Sequence, residues 1–253
     1  MKSLFPVIQR ARGYYLYDNK GKRLLDLYQD GGKAILGHTP NKLQNVFKST
    51  VAKGLLANYP SVYKRRFEKH LKQLLPNYNV VGYFSDYSHV SQFLGTPVEE
   101  PFFPKGNKGQ FWRPFLEKTE INSDFIIPIL PLPGSFAPVV LCVREGIKRE
   151  VVPNSIAVSP VVFALLTNTI NSLIAQREPF LKTNPLSEIA FYCNGPYCLT
   201  NLDDDKYREF WLSALDVNIL LPPTSAEPII VAPLYSEGEF KKFMSVARQF
   251  LKS

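Results

Sequence analysis

The sequence predicts a mixed α/β protein with layered sheets. Short apolar runs typical of strands alternate with amphipathic stretches typical of helices at both ends of the chain. Of the 253 residues, 45% are hydrophobic and 21% are charged, an ordinary balance for a globular protein that excludes extensive disorder. The 21 prolines against 14 glycines favour short elements joined by stiff turns over a long helical bundle.

The N-terminal part of the chain begins with a predicted β-hairpin over residues 13–27. Aromatic and aliphatic runs flank residues 18–21, where Gly21 supplies the positive φ that a tight turn needs. A helix is predicted from about residue 41 to residue 56, because Pro40 stands at its start and apolar residues recur along one stripe.

The remaining elements continue the alternation of strands and helices. Ser159 and Pro160 predict the start of a helix that runs to about residue 176, with serine as the cap and proline in the first turn. Three aspartates begin another predicted helix, residues 203–215, where they suit the positive end of its dipole. Strands are predicted at residues 80–84, 125–130, 139–143, 219–221 and 229–234, with a strand pair within 188–199, a loop over 95–113 and a capped last helix after 236–239.

Positive charge is concentrated in one predicted helix, residues 61–75. The chain carries 30 Lys and Arg against 22 Asp and Glu, a net charge of +8. Phe67, Leu71 and Leu74 fall at helical spacing, and the other face is basic. No aromatic interleaving or known module accompanies it, so the pattern favours a solvated helix face over nucleic acid or another anionic partner. The basic residues are Lys64, Arg65, Arg66, Lys69, His70 and Lys72.

No stretch is typical of a targeting signal or a membrane span. The apolar run of residues 5–8 is too short for a signal peptide, and prolines or polar residues interrupt the uncharged stretches 125–143 and 151–176. Three cysteines provide no disulfide framework, so we expect a reduced, cytoplasmic compartment. The spacing of Cys193 and Cys198 allows a redox pair or half a metal site. No Cys or His cluster completes four ligands, so buried small side chains are favoured and no metal site is predicted.

Several segments resemble class III aminotransferases, which are fold-type I pyridoxal-phosphate enzymes such as glutamate-1-semialdehyde aminomutase and the ornithine and acetylornithine aminotransferases. Residues 5–8 (Phe-Pro-Val-Ile), the hairpin of residues 13–27 and residues 35–40 (Ile-Leu-Gly-His-Thr-Pro) follow the N-terminal pattern of that family. Further segments are similar to the family's phosphate loop (residues 84–92), its cofactor-lysine strand (123–136), an interface segment (154–160) and the small C-terminal domain (189–253).

The resemblance implies a reduced fold-type I architecture in three parts. Residues 1–60 correspond to the N-terminal hairpin and helix, residues 61–150 to a shortened large (cofactor) domain, and residues 151–253 to an interface helix and a small C-terminal α/β domain. The resemblance also implies a homodimer. It assigns Ser88 and Ser155 as candidate cofactor-binding hydroxyls, for which capping or turn roles are the alternative.

The catalytic features of the family are replaced in this sequence. The resemblance aligns Leu130 with the lysine of the internal aldimine, and leucine has no amine for a Schiff base. Asp86 and Tyr87 stand where the family has a small residue and glycine, and an added carboxylate repels a phosphate dianion. Residues 95–111 replace a longer stretch that carries the ring-stacking aromatic residue and the aspartate facing the pyridine nitrogen.

Three functional hypotheses follow from these observations. The leading one is a degenerate aminotransferase-like protein without lysine-dependent transamination. It would act as a binding or assembly protein and hold a small phosphorylated or carboxylated ligand. It would bind pyridoxal phosphate only non-covalently, if at all. The second is a divergent pyridoxal-phosphate aminotransferase or aminomutase that uses Lys33, Lys105 or Lys108. The third is a basic protein that associates with anions or nucleic acid through the residue 61–75 helix. His38 is interpreted as a loop or capping histidine.

Overall fold

The computed structural model describes residues 5–40, 42–106, 108–117, 121–147, 155–180 and 184–251. They belong to two units. Unit 1 comprises Met1–Thr39, Phe115–Lys118 and Gln176–Ser253, and unit 2 comprises Pro40–Pro114 and Thr119–Ala175. The three-part division of the chain after residues 60 and 150 stays a prediction.

Strands and helices alternate along much of the chain, as the sequence predicts. The strands are β1 (Ile8–Arg12), β2 (Tyr15–Asp18), β3 (Arg23–Asp26), β4 (Tyr78–Phe84), β5 (Gly109–Trp112), β6 (Phe125–Pro128), β7 (Val139–Arg144), β8 (Tyr192–Asn194), β9 (Tyr197–Leu199), β10 (Ile219–Leu220) and β11 (Ile229–Ile230). The helices are α1 (Leu43–Val51), α2 (Val62–Leu74), α3 (Tyr87–Leu94), α4 (Pro160–Ala175), α5 (Asp204–Asp216) and α6 (Glu237–Leu251).

The described residues of unit 1 form two small sheets, and the first sheet confirms the predicted hairpin. β2 and β3 pair antiparallel, β1 adds to β2, and β10 adds parallel to β3. Asp18 closes the turn because its Oδ1 accepts hydrogen bonds from the N–H groups of Lys20 and Lys22 at 2.9 and 2.7 Å. The second sheet has the order β11-β9-β8. The acidic cap of α5 is also confirmed, since Asp203 accepts a hydrogen bond from the Lys206 N–H.

Unit 2 is built on a sheet of order β4-β7-β6-β5. β7 runs antiparallel to both β4 and β6, and β5 runs parallel to β6. The sequence predicts a loop over residues 95–113, and that prediction is wrong at β5. This strand is only four residues long and gains its partner from β6, so local periodicity gave no signal for it. The buried Gln110 accepts a hydrogen bond from Ser123 Oγ at 2.9 Å, which further fixes the pair.

Apolar clusters cover both faces of the unit 2 sheet. Adjacent residues point to opposite faces, as the pleat requires: Ile126 belongs to one cluster and Ile127 to the other. The first cluster is completed by α2 and α4, and the second by α3. The helix predicted at 41–56 is shorter than expected, because α1 ends at Val51 and turns follow to residue 56. Among the described residues, no helix combines the length and the apolar character needed to cross a bilayer.

Candidate functional site

A cleft of unit 2 lies where three parallel strands end. β4 and β6 both run antiparallel to β7, so the carboxyl ends of β4, β5 and β6 share one edge with the start of β7. Ligands of α/β sheets typically bind at this edge. The cleft has a volume of about 570 Å³ including its open mouth, and Ser85, Gly134, Ser135, Phe136, Ala137, Pro138, Ile156, Ala157, Val158, Ser159 and Val162 line it.

The lining of this cleft is neutral. None of its described lining residues is ionisable, and its polar side chains are the hydroxyls of Ser85, Ser135 and Ser159. This composition suits an uncharged ligand that takes hydrogen bonds from hydroxyl and backbone groups. It supplies no cation to balance a phosphate or carboxylate.

Asp86 caps the helix that starts at the rim of the cleft. Its Oδ1 accepts hydrogen bonds from the Ser88 N–H at 2.9 Å and the His89 N–H at 3.2 Å, and the Ser88 hydroxyl also donates to it. The Ser88 hydroxyl hydrogen bond, followed by the bond from the His89 N–H, holds the pKa of Asp86 well below its usual range. The chain's own carboxylate therefore engages the first N–H groups of α3, the groups that would bind an anion.

Ser88 and Ser155, the two sequence-predicted hydroxyls, both bond to the chain itself. Ser88 serves the cap of α3, as described above. Ser155 Oγ accepts a hydrogen bond from the Tyr83 N–H at 3.1 Å, and the Ile156 N–H donates to the Tyr83 carbonyl at 2.8 Å. The segment that starts at Ser155 thus extends the pairing of β4 and brings Ile156 into the cleft wall. A cofactor role for either hydroxyl stays a prediction.

Leu130 follows β6 at the edge where the cleft lies. Its side chain is 6% exposed and belongs to the apolar cluster with α2 and α4. Ile129, just before it, donates its N–H to the Trp112 carbonyl at 2.9 Å, so β5 and β6 hold this segment in place. The position that the resemblance assigns to a lysine is therefore a packed apolar site.

The alternative lysines occupy other places. Lys108 directly precedes β5 and Lys105 lies further upstream, so both lie at the amino edge of the sheet. Four strand residues rise about 13 Å, which separates that edge from the edge with Leu130. Lys33 belongs to unit 1, is half-buried and follows Gln29–Gly32, a stretch with four positive φ angles. The structure therefore does not bring Lys105 or Lys108 to the cleft.

Arg113, a cation at the carboxyl edge, is committed to an internal ion pair. It follows β5, is 5% exposed and donates two hydrogen bonds of 2.7 Å to the carboxylate of Glu100. A bidentate pair of this kind is strong and directional. Sequence reasoning did not identify the pair, and the available signal was an acid and a base within the predicted loop of residues 95–113.

His38 has a buried partner that the sequence did not reveal. Its Nε2 lies 2.8 Å from Oδ2 of Asp26, whose other oxygen accepts hydrogen bonds from the N–H groups of Tyr28 and Gln29. The His38 N–H also donates to the Gly13 carbonyl at 2.8 Å. The residue is thus a loop histidine, as predicted, and it joins the end of β3 to the chain that follows.

Cys193 and Cys198 form a disulfide, which corrects the interpretation that they are separate buried side chains. They are opposite residues of the β8–β9 hairpin, and their Cα atoms lie 4.3 Å apart. Cys198 is buried and Cys193 is half-exposed. The remaining cysteine, Cys142, is a buried free thiol whose pKa is raised by burial. The sequence expectation of no disulfide framework fails at this pair because strand register decides it.

No family model matches this chain, and its sequence relatives include two uncharacterized bacterial proteins. An uncharacterized protein of Borreliella burgdorferi is 29% identical over 250 residues, covering 94% of this chain and 88% of that protein. An uncharacterized protein of Treponema pallidum is 22% identical over 286 residues, covering 91% of this chain and 90% of that protein. Neither relative carries a stated activity.

Several solved structures similar to this one are aminotransferases. Ornithine δ-aminotransferase of Plasmodium falciparum superimposes with a TM-score of 0.71 at 12% identity, covering 98% of this chain and 94% of that chain. An omega-transaminase of Sphaerobacter thermophilus gives 0.70 at 11% identity, covering 98% and 92%. Acetylornithine aminotransferase of Elizabethkingia anophelis gives 0.65 at 12% identity, covering 97% and 93%. This chain has the aminotransferase fold. At these identities the likeness concerns the fold alone, and it agrees with the predicted reduced fold-type I architecture.

Pyridoxal phosphate does not fit the residues that the structure describes. The similar ornithine aminotransferase of Toxoplasma gondii is described with this cofactor, at partial occupancy, in its active site. In this chain the cleft lining has no cation, Asp86 engages the N–H groups of α3, and Leu130 is packed among apolar side chains. A phosphate dianion placed at the start of α3 would meet a carboxylate, which costs free energy through repulsion.

Proposed function

We propose that this chain is a non-catalytic protein on the aminotransferase fold, which does not perform lysine-dependent transamination and acts by binding or assembly. The observation that carries this proposal is the start of α3, where the Asp86 carboxylate accepts the N–H groups of Ser88 and His89. An enzyme of this fold needs such groups for its cofactor's phosphate. A chain that saturates them with its own side chain has no phosphate anchor there.

The place aligned with the lysine supports the same proposal. Transamination needs an amine that forms a Schiff base and then moves a proton. Leu130 can do neither, and its burial leaves no room for a mobile lysine in its place. Lys105 and Lys108 lie at the opposite edge of the sheet and cannot substitute for it.

The neutral cleft lining supports binding of an uncharged small molecule. Ser85, Ser135 and Ser159 offer hydroxyls, and Phe136 and Val162 offer apolar surface. The phosphorylated or carboxylated ligand expected from the sequence gains no support, because none of the described lining side chains carries positive charge. A homodimer remains part of the proposal and predicts a solution mass of twice 28.8 kDa, which light scattering after gel filtration measures.

Reductive trapping tests the absence of cofactor chemistry. The folded protein is incubated with pyridoxal phosphate, reduced with borohydride and digested for mass spectrometry. Sparse labelling scattered over exposed lysines is expected. Stoichiometric labelling of one lysine would contradict the proposal and would identify the catalytic residue, with Lys33 the first position to inspect.

Two variants at Asp86 separate occupancy of the N–H groups from charge. Asp86→Asn removes the charge and keeps an oxygen that caps α3, so it is expected to leave binding of pyridoxal phosphate undetectable by absorbance. Asp86→Gly exposes the N–H groups of Ser88 and His89, and any gain of phosphate binding is expected in this variant alone. Equal cofactor binding by wild type and both variants would refute the inference about the anchor.

A further inference from the structure

Nearly all of the net positive charge of the chain lies in one segment of unit 2. Residues 42–75 contain eight Lys and Arg and a single acid, Glu68, so this segment contributes 8 − 1 = +7 to a net charge of +8. The segment comprises α1, the loop of residues 52–61 and α2. The basic residues are Lys42, Lys48, Lys53, Lys64, Arg65, Arg66, Lys69 and Lys72.

The outer face of α2 carries three of these cations without an ion pair to a described carboxylate. Val62, Arg65, Arg66 and Lys69 are spaced at i, i+3, i+4 and i+7, so they form one stripe, and all four are exposed. This stripe lies opposite the face that buries Phe67 and related side chains. In the described part of the chain, no carboxylate lies within ion-pair distance of the three cations of the stripe. The nearby Lys64 and Lys72 pair with Glu68 and Glu145.

Apolar side chains protrude from the loop that leads into this stripe. Leu56 is 63% exposed, Tyr59 is 74% exposed and Val62, the first residue of α2, is 63% exposed. The middle of the loop is anchored to unit 2, since Ser159 Oγ donates to the Leu56 carbonyl at 3.4 Å. We name the set of Leu56, Tyr59, Val62, Arg65, Arg66 and Lys69 the basic apolar surface.

We propose that the basic apolar surface binds an anionic phospholipid bilayer, with the three apolar side chains in the interface and the three cations among the headgroups. Clusters of Lys and Arg are attracted to anionic lipid, and apolar side chains at the headgroup level add affinity by leaving water. A nucleic acid would use the cations but would leave Leu56 and Val62 in water. A second copy of the same surface would bring two positively charged segments together, which repels.

The interaction is tested with vesicles of phosphatidylcholine that contain about 30% phosphatidylserine, compared with vesicles of phosphatidylcholine alone. We expect the protein to co-sediment with the anionic vesicles and not with the neutral ones. The bound fraction should fall steeply as the salt concentration is raised. Each Lys or Arg near an anionic surface strengthens binding about fivefold, so the variant R65Q/R66Q/K69Q is expected to bind about a hundredfold more weakly.

Two further variants test location and insertion. L56S/Y59S/V62S keeps the charge and is expected to lose about tenfold in vesicle affinity, because its apolar contacts are gone. K241Q/K242Q/R248Q removes the same number of charges from the exposed side of α6 and is expected to bind like wild type. All substituted side chains are exposed, so circular dichroism is expected to show unchanged folding for each variant.

A reporter places the loop relative to the bilayer. In a Tyr59→Trp variant, emission is expected to shift to shorter wavelength on anionic vesicles and to be quenched by lipids with a spin label near the headgroup. Trp112 and Trp211, both buried, supply a constant background. If the emission does not shift although the variant is bound to vesicles, insertion of this loop is refuted.

Other outcomes also overturn the proposal. If K241Q/K242Q/R248Q loses as much vesicle binding as R65Q/R66Q/K69Q, binding depends on the total charge of the protein and not on the basic apolar surface. Tighter binding to a short RNA duplex than to anionic vesicles, unaffected by L56S/Y59S/V62S, would assign the surface to nucleic acid. Conversion of a dimer to a monomer by L56S/Y59S/V62S would assign the loop to an interface between copies. None of these results bears on cofactor trapping, so the proposed function is tested separately.

Discussion

Gly195→Ala is expected to destabilise the protein strongly, because Gly195 packs directly against another segment of backbone. It lies between β8 and β9 with φ of +56°. An added Cβ would lie 2.2 Å from the Phe115 carbonyl oxygen and 3.2 Å from the Phe115 carbonyl carbon. These are main-chain atoms that cannot rotate away. The Gly195 carbonyl accepts a hydrogen bond of 2.9 Å from the Asn184 side chain, which restrains the hairpin turn from shifting.

The magnitude follows from two separable costs. An alanine in the left-handed region costs about 1–2 kcal/mol. Relief of a close contact in a packed region costs about 1–3 kcal/mol more. The sum of about 2–5 kcal/mol is a large part of the 5–15 kcal/mol by which domains are typically stable.

Gly13→Ala supplies a matched control for the backbone cost. Gly13 has the same φ of +56°, and a Cβ there would meet nothing within 4 Å. Its loss of stability is therefore expected to be about 1–2 kcal/mol. Urea unfolding followed by far-UV circular dichroism measures both variants. Equal losses in the two would refute the close approach of Gly195 to Phe115.

Three further predictions concern buried groups. Asp26→Ala is expected to cost about 3–5 kcal/mol in urea unfolding, because His38 and two N–H groups lose a buried acceptor. Asp26→Asn keeps an acceptor oxygen and is expected to cost less than half of that; equal costs would contradict the role of the acceptor oxygen. Burial, and then the nearby Glu68 carboxylate, raise the pKa of Tyr83, so its contribution to stability is present below pH of about 10 and falls above it by about 1.4 kcal/mol per pH unit. Tyr83→Phe should flatten that alkaline decline in unfolding free energy, and an unchanged slope would refute it. Thiol titration should find one reactive group in denaturant and three after reduction, and three without a reductant would exclude the disulfide between Cys193 and Cys198.

The candidate site was predicted in parts, and its assembly was not. The resemblance identified residues 84–92, 132–136 and 154–160 as segments near a cofactor. It also identified Asp86 as a carboxylate in the wrong place for a phosphate. That Asp86 caps α3 and that these segments line one neutral cleft depend on the parallel order of β4, β5 and β6. Strand order is a long-range property, which no window of sequence contains.

The sequence by itself determined the elements that local chemistry specifies. The turn with Gly21, the acidic start of α5 and the two-faced pattern of α2 each depend on residues within one or two turns of chain, so their signals are local. The aminotransferase fold followed from resemblance carried by such segments.

Tertiary structure alone decided the pairings between distant residues. β5 exists because β6 lies beside it, Cys193 meets Cys198 through hairpin register, and Asp26 binds His38 after the chain has turned back. The same holds for the alternative lysine Lys108. It precedes β5, whereas Leu130 follows β6, and because β5 and β6 run parallel the two residues lie at opposite edges of the sheet. Contacts of this kind form only when the chain buries its apolar faces, so their energy is set by the fold and not by local preference.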